Sequence, residues 1–437
     1  MVKLRKSALS AELQSIAEED YLFRNWAKTF QCRCELLFRP KTEAQISEVV
    51  KLATKHGKTV RVFGSGHSPS DLAMTPDVMV NIDDLNQLLS VDKANHRVTV
   101  QAGMSLHKLH EVLAENGLAM RNLGSISDQS VAGIMSTATH GTGANFGCLS
   151  TMVLDCTLIT ADGSTLYVSA KENTDVFHAV RCGLGALGVI VRATLDVEPA
   201  YRLEAIQKPY RFSDVLADWH NVIYSSEHSR IWWMPHTNDC VVWRANRTEK
   251  PAQPPKERWW LDRGIGVHLY QFLLNVGRYR PAIIPSVTNF MFDTFFRKPV
   301  HVIDDSYKVF MFDVLFPQYV NEWAVDWDEA PKVLRELEQF INSSDLKVHY
   351  PVEIRFVEED DIWLSPSYGR KTCYIGVIMY RPYGLPVSYK KYWQAYENIM
   401  RAHGGRPHWA KVNTSQLSLY LFVYVALFRR TDKRPNN

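Results

Sequence analysis

The sequence predicts an α+β protein of more than one domain, and three observations carry that prediction. Short strand-like runs and helical patterns are mixed without strict alternation, which disfavours a doubly wound parallel sheet. The chain has 437 residues, more than one hydrophobic core usually organises. Its texture also changes near Glu198, from a half dense in Gly, Ser and Thr to one richer in aromatics and prolines. A hydrophobic content of 46% with 22% charged residues is that of an ordinary globular chain.

Taken in order, the first thirty residues carry acidic side chains and no continuous apolar segment, unlike a signal or transit peptide. From Glu35 the chain reads as a strand, a turn at Arg39-Pro40 and a helix opening at Thr42 with Glu43 in its first turn. Lys58 to Phe63 and Val78 to Ile82 read as strands, and Leu89 to Val91 and Arg97 to Gln101 as a paired set. A helix over Ser105 to Asn116 is stopped by Gly117. No run of eighteen uncharged apolar residues suggests a membrane span. A net charge of +3 gives no basis for a nucleic-acid track. The seven cysteines are odd in number and scattered, so free thiols and a reducing compartment are expected.

Three segments concentrate small residues. VFGSGHSPSD, Val62 to Asp71, follows a strand and places Gly64, Ser65, Gly66, His67 and Ser68 in one turn. Successive N–H groups in such a turn form an anion nest, and the serines add donors; a plain Gly-Ser turn is the alternative. Asn122 to Gly143 combines four glycines with seven Ser and Thr residues and almost no charge. There the alternative is a tightly packed turn and helix in which His140 is a core histidine. With CGLGALGVI, Cys182 to Ile190, the three point to one extended ligand with a pyrophosphate in its middle. GSGHSP lacks the third glycine of GxGxxG and no GxxxxGK[ST] occurs, so neither standard nucleotide motif applies.

In the second half, Pro251 to Pro255 reads as a surface linker. Residues 258–298 are rich in Trp, Phe and Tyr but broken by Arg278, Arg280, Pro281 and Pro285, which fits an interfacial helix pair or a buried helical hairpin. In a strand over Val352 to Phe356, Glu353 and Arg355 share one face, a solvated pair unless something faces them. Arg406 to Lys411, RPHWAK, follows Gly404-Gly405 and suits a loop that closes over a ligand.

In this order, GSGHSPSD, LGSISDQSVAGIMSTATHGTG, LGALGVI, PVEIRF, MYRPYG and GGRPHWAK resemble the aldonolactone oxidoreductases of the vanillyl-alcohol-oxidase flavoprotein type, from about Asn25 to Lys411. The resemblance implies a two-subdomain FAD-binding domain over 35–198, an α+β cap domain over 199–411 that forms the substrate site, a lead-in over 1–34 and a tail over 412–437. It implies FAD cradled by Val62, Phe63, Gly64, Ser65, Gly66, His67, Ser68, Ser130, Gly133, Thr137, Ala138, Thr139 and His140, with Val189 or Ile190 contacting it, and a covalent bond from His67 to the flavin 8α carbon.

It assigns Glu353, Arg355, Lys411 and Ser125 to catalysis and implies no metal. Arg355 and Lys411 would hold developing negative charge, Glu353 would orient the reacting hydroxyl, and Ser125 would add a hydroxyl near the substrate. The expected reaction is oxidation of a sugar 1,4-lactone at C2, L-gulono-1,4-lactone to ascorbate first. D-arabinono- or L-galactono-1,4-lactone, an alditol, or flavin binding without turnover are the alternatives. Gly124, without a side chain, favours oxygen as acceptor with hydrogen peroxide as product. The family implies an endoplasmic-reticulum membrane surface, otherwise the cytoplasm, with contact through 258–298. After Lys411 the chain departs from the family's LDPxGxFxN-like ending, and its apolar run Leu417 to Phe428 is too short to span a membrane.

Overall fold

The computed structural model describes residues 3–255, 258–312, 316–349 and 351–412; Leu417 to Phe428 lies outside the described residues. Two small sheets and one large one organise it. The first has four strands, in the order Ala17–Glu19, Leu36–Phe38, Val78–Asn81 and Val60–Phe63. Its last three strands run parallel, and Ala17–Glu19 adds an antiparallel edge, so the first 34 residues contribute to the sheet. The helix Glu43–Lys55 starts where the Thr42 side chain accepts a hydrogen bond from the Gln45 N–H, and it buries Ile46, Val49, Val50 and Ala53.

The second sheet is antiparallel, in the order Thr165–Ser169, Val153–Ile159, Val189–Asp196, Arg97–Gln101 and Leu88–Asp92. The helix Leu106–Glu115, capped by Ser105, lies where the sequence pattern places it. One continuous core runs through both small sheets, from Phe38 and Ile46 to Val100, Leu109, Ile134 and Val191.

The third sheet has eight antiparallel strands: Val300–Asp305, Arg202–Arg211, Asp239–Thr248, His228–Trp233, Val352–Val357, Thr372–Tyr380, Gln318–Asp326 and Arg406–Pro407. One face packs under the helices Phe212–Ala217, Trp219–Tyr224, Ala330–Ser343 and Lys390–Ala402, burying Ile354, Phe356, Trp323, Ile375 and Trp393. Each such side chain contributes about 1.5–3 kcal/mol of burial. The other face meets the first half of the chain, where the Gly143 N–H donates to the Phe356 carbonyl at 2.8 Å and the Thr142 hydroxyl donates to the Ser229 carbonyl.

The aromatic stretch is partly buried and partly exposed. Its helical segments Trp260–Leu269, Tyr270–Gly277 and Ile284–Phe295 bury Leu274, Ile284, Val287 and Phe292 but leave Trp259, Trp260, Phe272, Tyr279 and Phe290 exposed. No helix among the described residues is long and apolar enough to cross a membrane. All seven cysteines are free thiols.

Candidate active site

The strand Val60–Phe63 ends in the glycine turn, which faces Ser130 at the start of the helix Val131–Ser136. A Cβ on Gly64 would lie 2.5 Å from the Ser130 hydroxyl oxygen, so only glycine lets the two segments approach this closely. Residues from the lead-in clamp the turn: the Trp26 N–H donates to the Gly66 carbonyl at 2.9 Å and the Asn25 amide donates to the Ser68 carbonyl at 3.1 Å. The turn, Ser130, Gly133, Thr137, Gly185 and the Gly188 to Ile190 segment line a cleft.

His67 lines the cleft with a side chain 9% exposed, its ring stacked on Trp26 at 5.1 Å. Its Nε2 is 3.4 Å from Asp128 Oδ2, while its buried Nδ1 has no hydrogen-bond partner. Burial holds the His67 imidazole below its ordinary pKa, against the pull of Asp128, so the ring is neutral at pH 7.

A second cavity shares His67, Ser68 and Gln129 with the cleft and lies against the face of the eight-stranded sheet that meets the first half of the chain. Period-two alternation puts Glu353 and Arg355 here while Val352, Ile354 and Phe356 enter the core. The pair is not solvated: Arg355 Nη2 donates to Glu353 Oε1 at 2.6 Å with side chains 10% and 12% exposed. Arg355 Nη2 also reaches the Ser125 hydroxyl oxygen at 2.5 Å, and Trp232 Nε1 donates to Glu353 Oε1 at 3.2 Å. Burial would raise Glu353, but Arg355 and Arg230 outweigh it and hold the carboxyl below the usual range.

Glu322 enters the same cavity from the strand Gln318–Asp326, which lies two places along the sheet from Val352–Val357, beyond Thr372–Tyr380. Its Oε1 is 3.3 Å from His140 Nε2 and its Oε2 is 3.9 Å from Lys411 Nζ. Burial opposes ionisation of Glu322 as well, yet His140 and Lys411 hold its carboxyl well below the ordinary range. His140 Nδ1 is 2.9 Å from the Gly141 carbonyl, which only accepts, so that nitrogen carries a hydrogen. His140, Glu322 and His408 each bring a ligand-type atom within 4.8 Å of the others, but the Lys411 ammonium already faces this carboxylate, and the group forms a charge network. Burial pushes the His408 imidazole down to about 3.

Register aligns these groups. Glu322 pairs with Gly376, Gly376 with Glu353, and Glu353 with Trp232, giving one row across four adjacent strands. Strands lie roughly 4.8 Å apart, so the two carboxylates are rooted about two strand spacings from each other with only a glycine between them.

Ser125, Glu353, Arg355 and Lys411, distant in sequence, therefore line one cavity. Of the segments expected to cradle a dinucleotide, Val62 to Ser68, Ser130, Gly133, Thr137, Val189 and Ile190 line the cleft. Thr139 and His140 instead line the second cavity, and Ala138 packs into a small core with Cys148, Cys182 and Trp409. The cause is local: Ala138 takes a φ of +50°, which turns the chain away from the cleft at the end of the short helix.

Glu322, Gly376, Trp232 and Asp128 were not identified from sequence. A lone glycine inside the apolar run TCYIGVIMY marks a close approach to a strand and is the one signal that could have found a member of this group.

The cleft suits FAD: a glycine turn and small hydroxyl residues offer N–H and O–H donors to phosphates, and His67, which has a buried unpartnered imidazole nitrogen, lines the same cleft. The fold and the cleft define a flavoprotein. The chain superposes on a cholesterol oxidase from Brevibacterium sterolicum with a TM-score of 0.74 at 16% identity over 94% of this chain and 89% of that one, and on a solvent-stable cholesterol oxidase with a TM-score of 0.74 at 18% identity over 91% and 88%. Residues 34–169 match the FAD binding domain family and residues 193–427 the D-arabinono-1,4-lactone oxidase family.

L-gulonolactone oxidase from Scyliorhinus torazame is 40% identical over 94% of this chain and 93% of its own, and that from Mus musculus 39% identical over 94% of both. D-arabinono-1,4-lactone oxidase from Candida glabrata is 34% identical over 90% of this chain and 84% of its own. The chain belongs to the aldonolactone oxidase family of FAD-dependent oxidoreductases.

Proposed function

We propose that this enzyme oxidises L-gulono-1,4-lactone at C2 to the 2-keto lactone, which tautomerises to L-ascorbate, with dioxygen as the electron acceptor and hydrogen peroxide as product. The observation that carries the reading is the convergence of Ser125, Glu353, Arg355 and Lys411 on a cavity that shares His67 with the glycine cleft. The stronger similarity to L-gulonolactone oxidases, 40% against 34% for the D-arabinono-1,4-lactone oxidase from Candida glabrata, supports this lactone.

Val62 to Ser68, Ser130, Gly133, Thr137, Val189 and Ile190 would hold the FAD. When bound, FAD supplies the acceptor for the hydride leaving C2. Arg355, with Ser125, grips the reacting hydroxyl and holds the negative charge that grows on its oxygen. Glu353, kept ionised by Arg355 and held by Trp232, accepts that hydroxyl's hydrogen bond and orients its proton. Its depressed pKa makes it an orienting group more than a strong base. Lys411, held by Glu322, adds a second fixed cation on the opposite side of Gly376. Gly124 lines the cavity without a side chain, leaving room for dioxygen to approach.

His67 is the proposed covalent anchor, and exposed Trp259 and Trp260 the contact with an endoplasmic-reticulum membrane surface. A second reading, with D-arabinono-1,4-lactone as substrate, is favoured by the family match over residues 193–427. Initial rates on L-gulono-, D-arabinono- and L-galactono-1,4-lactone, with peroxide measured alongside, separate the two. A kcat/KM highest for D-arabinono-1,4-lactone would replace the first reading with the second. Peroxide well below one per lactone oxidised would overturn the oxidase assignment.

A further inference from the structure

We infer that Arg230 is a positioning residue for the lactone reaction: clasped by Trp232, Trp243 and Phe312, it fixes the side chains that hold Glu353 and Ser125 and places a second cation beside the Glu353–Arg355 pair. The inference rests on the reading of Glu353 as the group that orients the reacting hydroxyl, and it adds what keeps that carboxylate in place.

Arg230 lies on His228–Trp233, the strand next to Val352–Val357. Alternation sends Ile231 and Trp233 into the helix-covered core and leaves Arg230 and Trp232 on the face that carries Glu353 and Arg355. Register then sets Arg230 opposite Arg355 and Trp232 opposite Glu353, a block of two cations, one carboxylate and one indole. Like charges directly opposite each other destabilise a strand pair, and burial raises that cost. Arg230 is 7% exposed, and three rings offset the cost: its guanidinium carbon lies 4.4 Å from the ring centroid of Trp243, 5.0 Å from that of Trp232 and 5.0 Å from that of Phe312.

Two of those rings belong to the site. Trp232 and Phe312 line the cavity, packed edge to face at 5.7 Å, whereas Arg230 does not line it. Trp232 Nε1 donates to Glu353 Oε1 at 3.2 Å, and the Phe312 N–H donates to the Ser125 carbonyl at 3.2 Å. A single guanidinium therefore stacks on the side chain that holds Glu353 and on the residue that holds the backbone of Ser125. Arg355 bonds the same two residues directly.

The charged groups that face Glu353 are Arg355 on its own strand, Arg230 on the strand to one side and Glu322 beyond Gly376 on the other. The two arginines favour the carboxylate and Glu322 opposes it. Glu322 is itself answered by His140 and Lys411, and His408 and His67 line the same cavity. Without Arg230, Arg355 alone stands against burial and Glu322, so Glu353 takes up its proton at higher pH. A lysine keeps the charge but not the planar group that three rings clasp.

The test compares wild type, Arg230→Met, Arg230→Lys, Trp232→Phe and Glu353→Gln. kcat and KM are measured from pH 5 to 8 on the lactone oxidised fastest. Glu353 is titrated without turnover from its carboxyl stretch in infrared difference spectra, assigned by its loss in Glu353→Gln. Arg230→Met is expected to lower kcat about tenfold at pH 7.5 and further at pH 5.5, with KM within about threefold of wild type and the Glu353 titration moved to higher pH. Arg230→Lys should return the titration toward its wild-type position and recover part of kcat. Trp232→Phe, which loses the N–H bond to the carboxylate, should move the titration in the same direction as Arg230→Met. An unmoved titration in Arg230→Met overturns the proposal, as does a kcat lowered equally at every pH, the mark of a role in folding alone. Arg230→Lys no better than Arg230→Met overturns it too. If Arg230→Met does not fold, Trp232→Phe decides, and a wild-type titration there overturns the proposal. Wild-type kcat in Glu353→Gln overturns the reading of Glu353, and this proposal with it.

Discussion

Arg355 donates from Nη2 to the Ser125 hydroxyl oxygen at 2.5 Å, joining positions 230 residues apart across the seam between the eight-stranded sheet and the first half of the chain. The same nitrogen holds Glu353 at 2.6 Å. A lysine is a point charge on a flexible stem and does not reproduce a planar fork shared by two partners. Arg355→Lys is expected to lower kcat/KM for the lactone about 100-fold or more, and Ser125→Ala about tenfold, in steady-state assays, with circular dichroism unchanged.

Glu322 is buried between His140 and Lys411. Replacing it with Gln removes the one carboxylate in this network and leaves Lys411 without its counter-charge. Glu322→Gln should reduce kcat more than it raises KM and should cost about 3–5 kcal/mol of stability, the usual result of breaking a buried ion pair. Stopped-flow lactone reduction and urea unfolding measure the two effects; a variant with wild-type kcat would remove Lys411 positioning from the account.

Gly376 keeps the space between Glu322 and Glu353 open, and a Cβ there would lie 3.5 Å from Glu322 Oε1, an ordinary contact. Gly376→Thr is therefore compatible with the fold but fills the gap. The expected outcome is a KM at least tenfold higher with a Tm within a few degrees of wild type, by initial rates and thermal melting.

Four buried histidines make stability depend on pH. Burial pushes His110, His228 and His349 down to about 4 and His408 to about 3. Their unfolded values lie near 6.5. Between these limits the unfolded chain binds the extra protons, so this contribution is complete above about pH 6.5 and is lost as pH falls toward 4. Each histidine contributes a slope of up to about 1.4 kcal/mol per pH unit within that window. Urea midpoints measured from pH 7.5 to 4.5 should fall most steeply below pH 6; a flat profile would show that these rings take up protons without unfolding.

Trp259 and Trp260 are 60% and 80% exposed at the start of the aromatic helical segment. Trp259→Ser with Trp260→Ser should weaken co-sedimentation with phosphatidylcholine/phosphatidylserine vesicles at least tenfold and leave the rate on soluble lactone unchanged. Equal sedimentation of the two proteins would exclude this face as the membrane contact.

Much of the site was legible because its residues sit in local patterns. Glu353 and Arg355 alternate with three apolar residues, and that period alone sends them to one face. The glycine turn and the Cys182 to Ile190 segment announce close backbone approach by composition. Other members had no such mark. Glu322 is one of two acids in a mixed strand, and its partners His140 and Lys411 are reached only through space. Thr139 and His140 belong by composition with the cleft residues, yet one left-handed residue, Ala138, delivers them elsewhere. Asp128 reads as a loop acid until folding brings His67 and His107 to its two oxygens.

The alternation of the eight-stranded sheet has a consequence for how such an enzyme can diversify. Gln318, Val320, Ile378 and Tyr380 share the cavity face with Glu322 and Glu353, while Tyr319, Trp323, Val377 and Met379 between and beside them pack toward the helix-covered core. Ile378 and Tyr380 also pack against Leu274, Ile284 and Phe316, whereas substitutions at Gln318 and Val320 reshape the wall against the substrate without disturbing either the charged row or a hydrophobic core. A lineage can therefore change which sugar it accepts by small steps along one strand, each intermediate keeping both its chemistry and its fold.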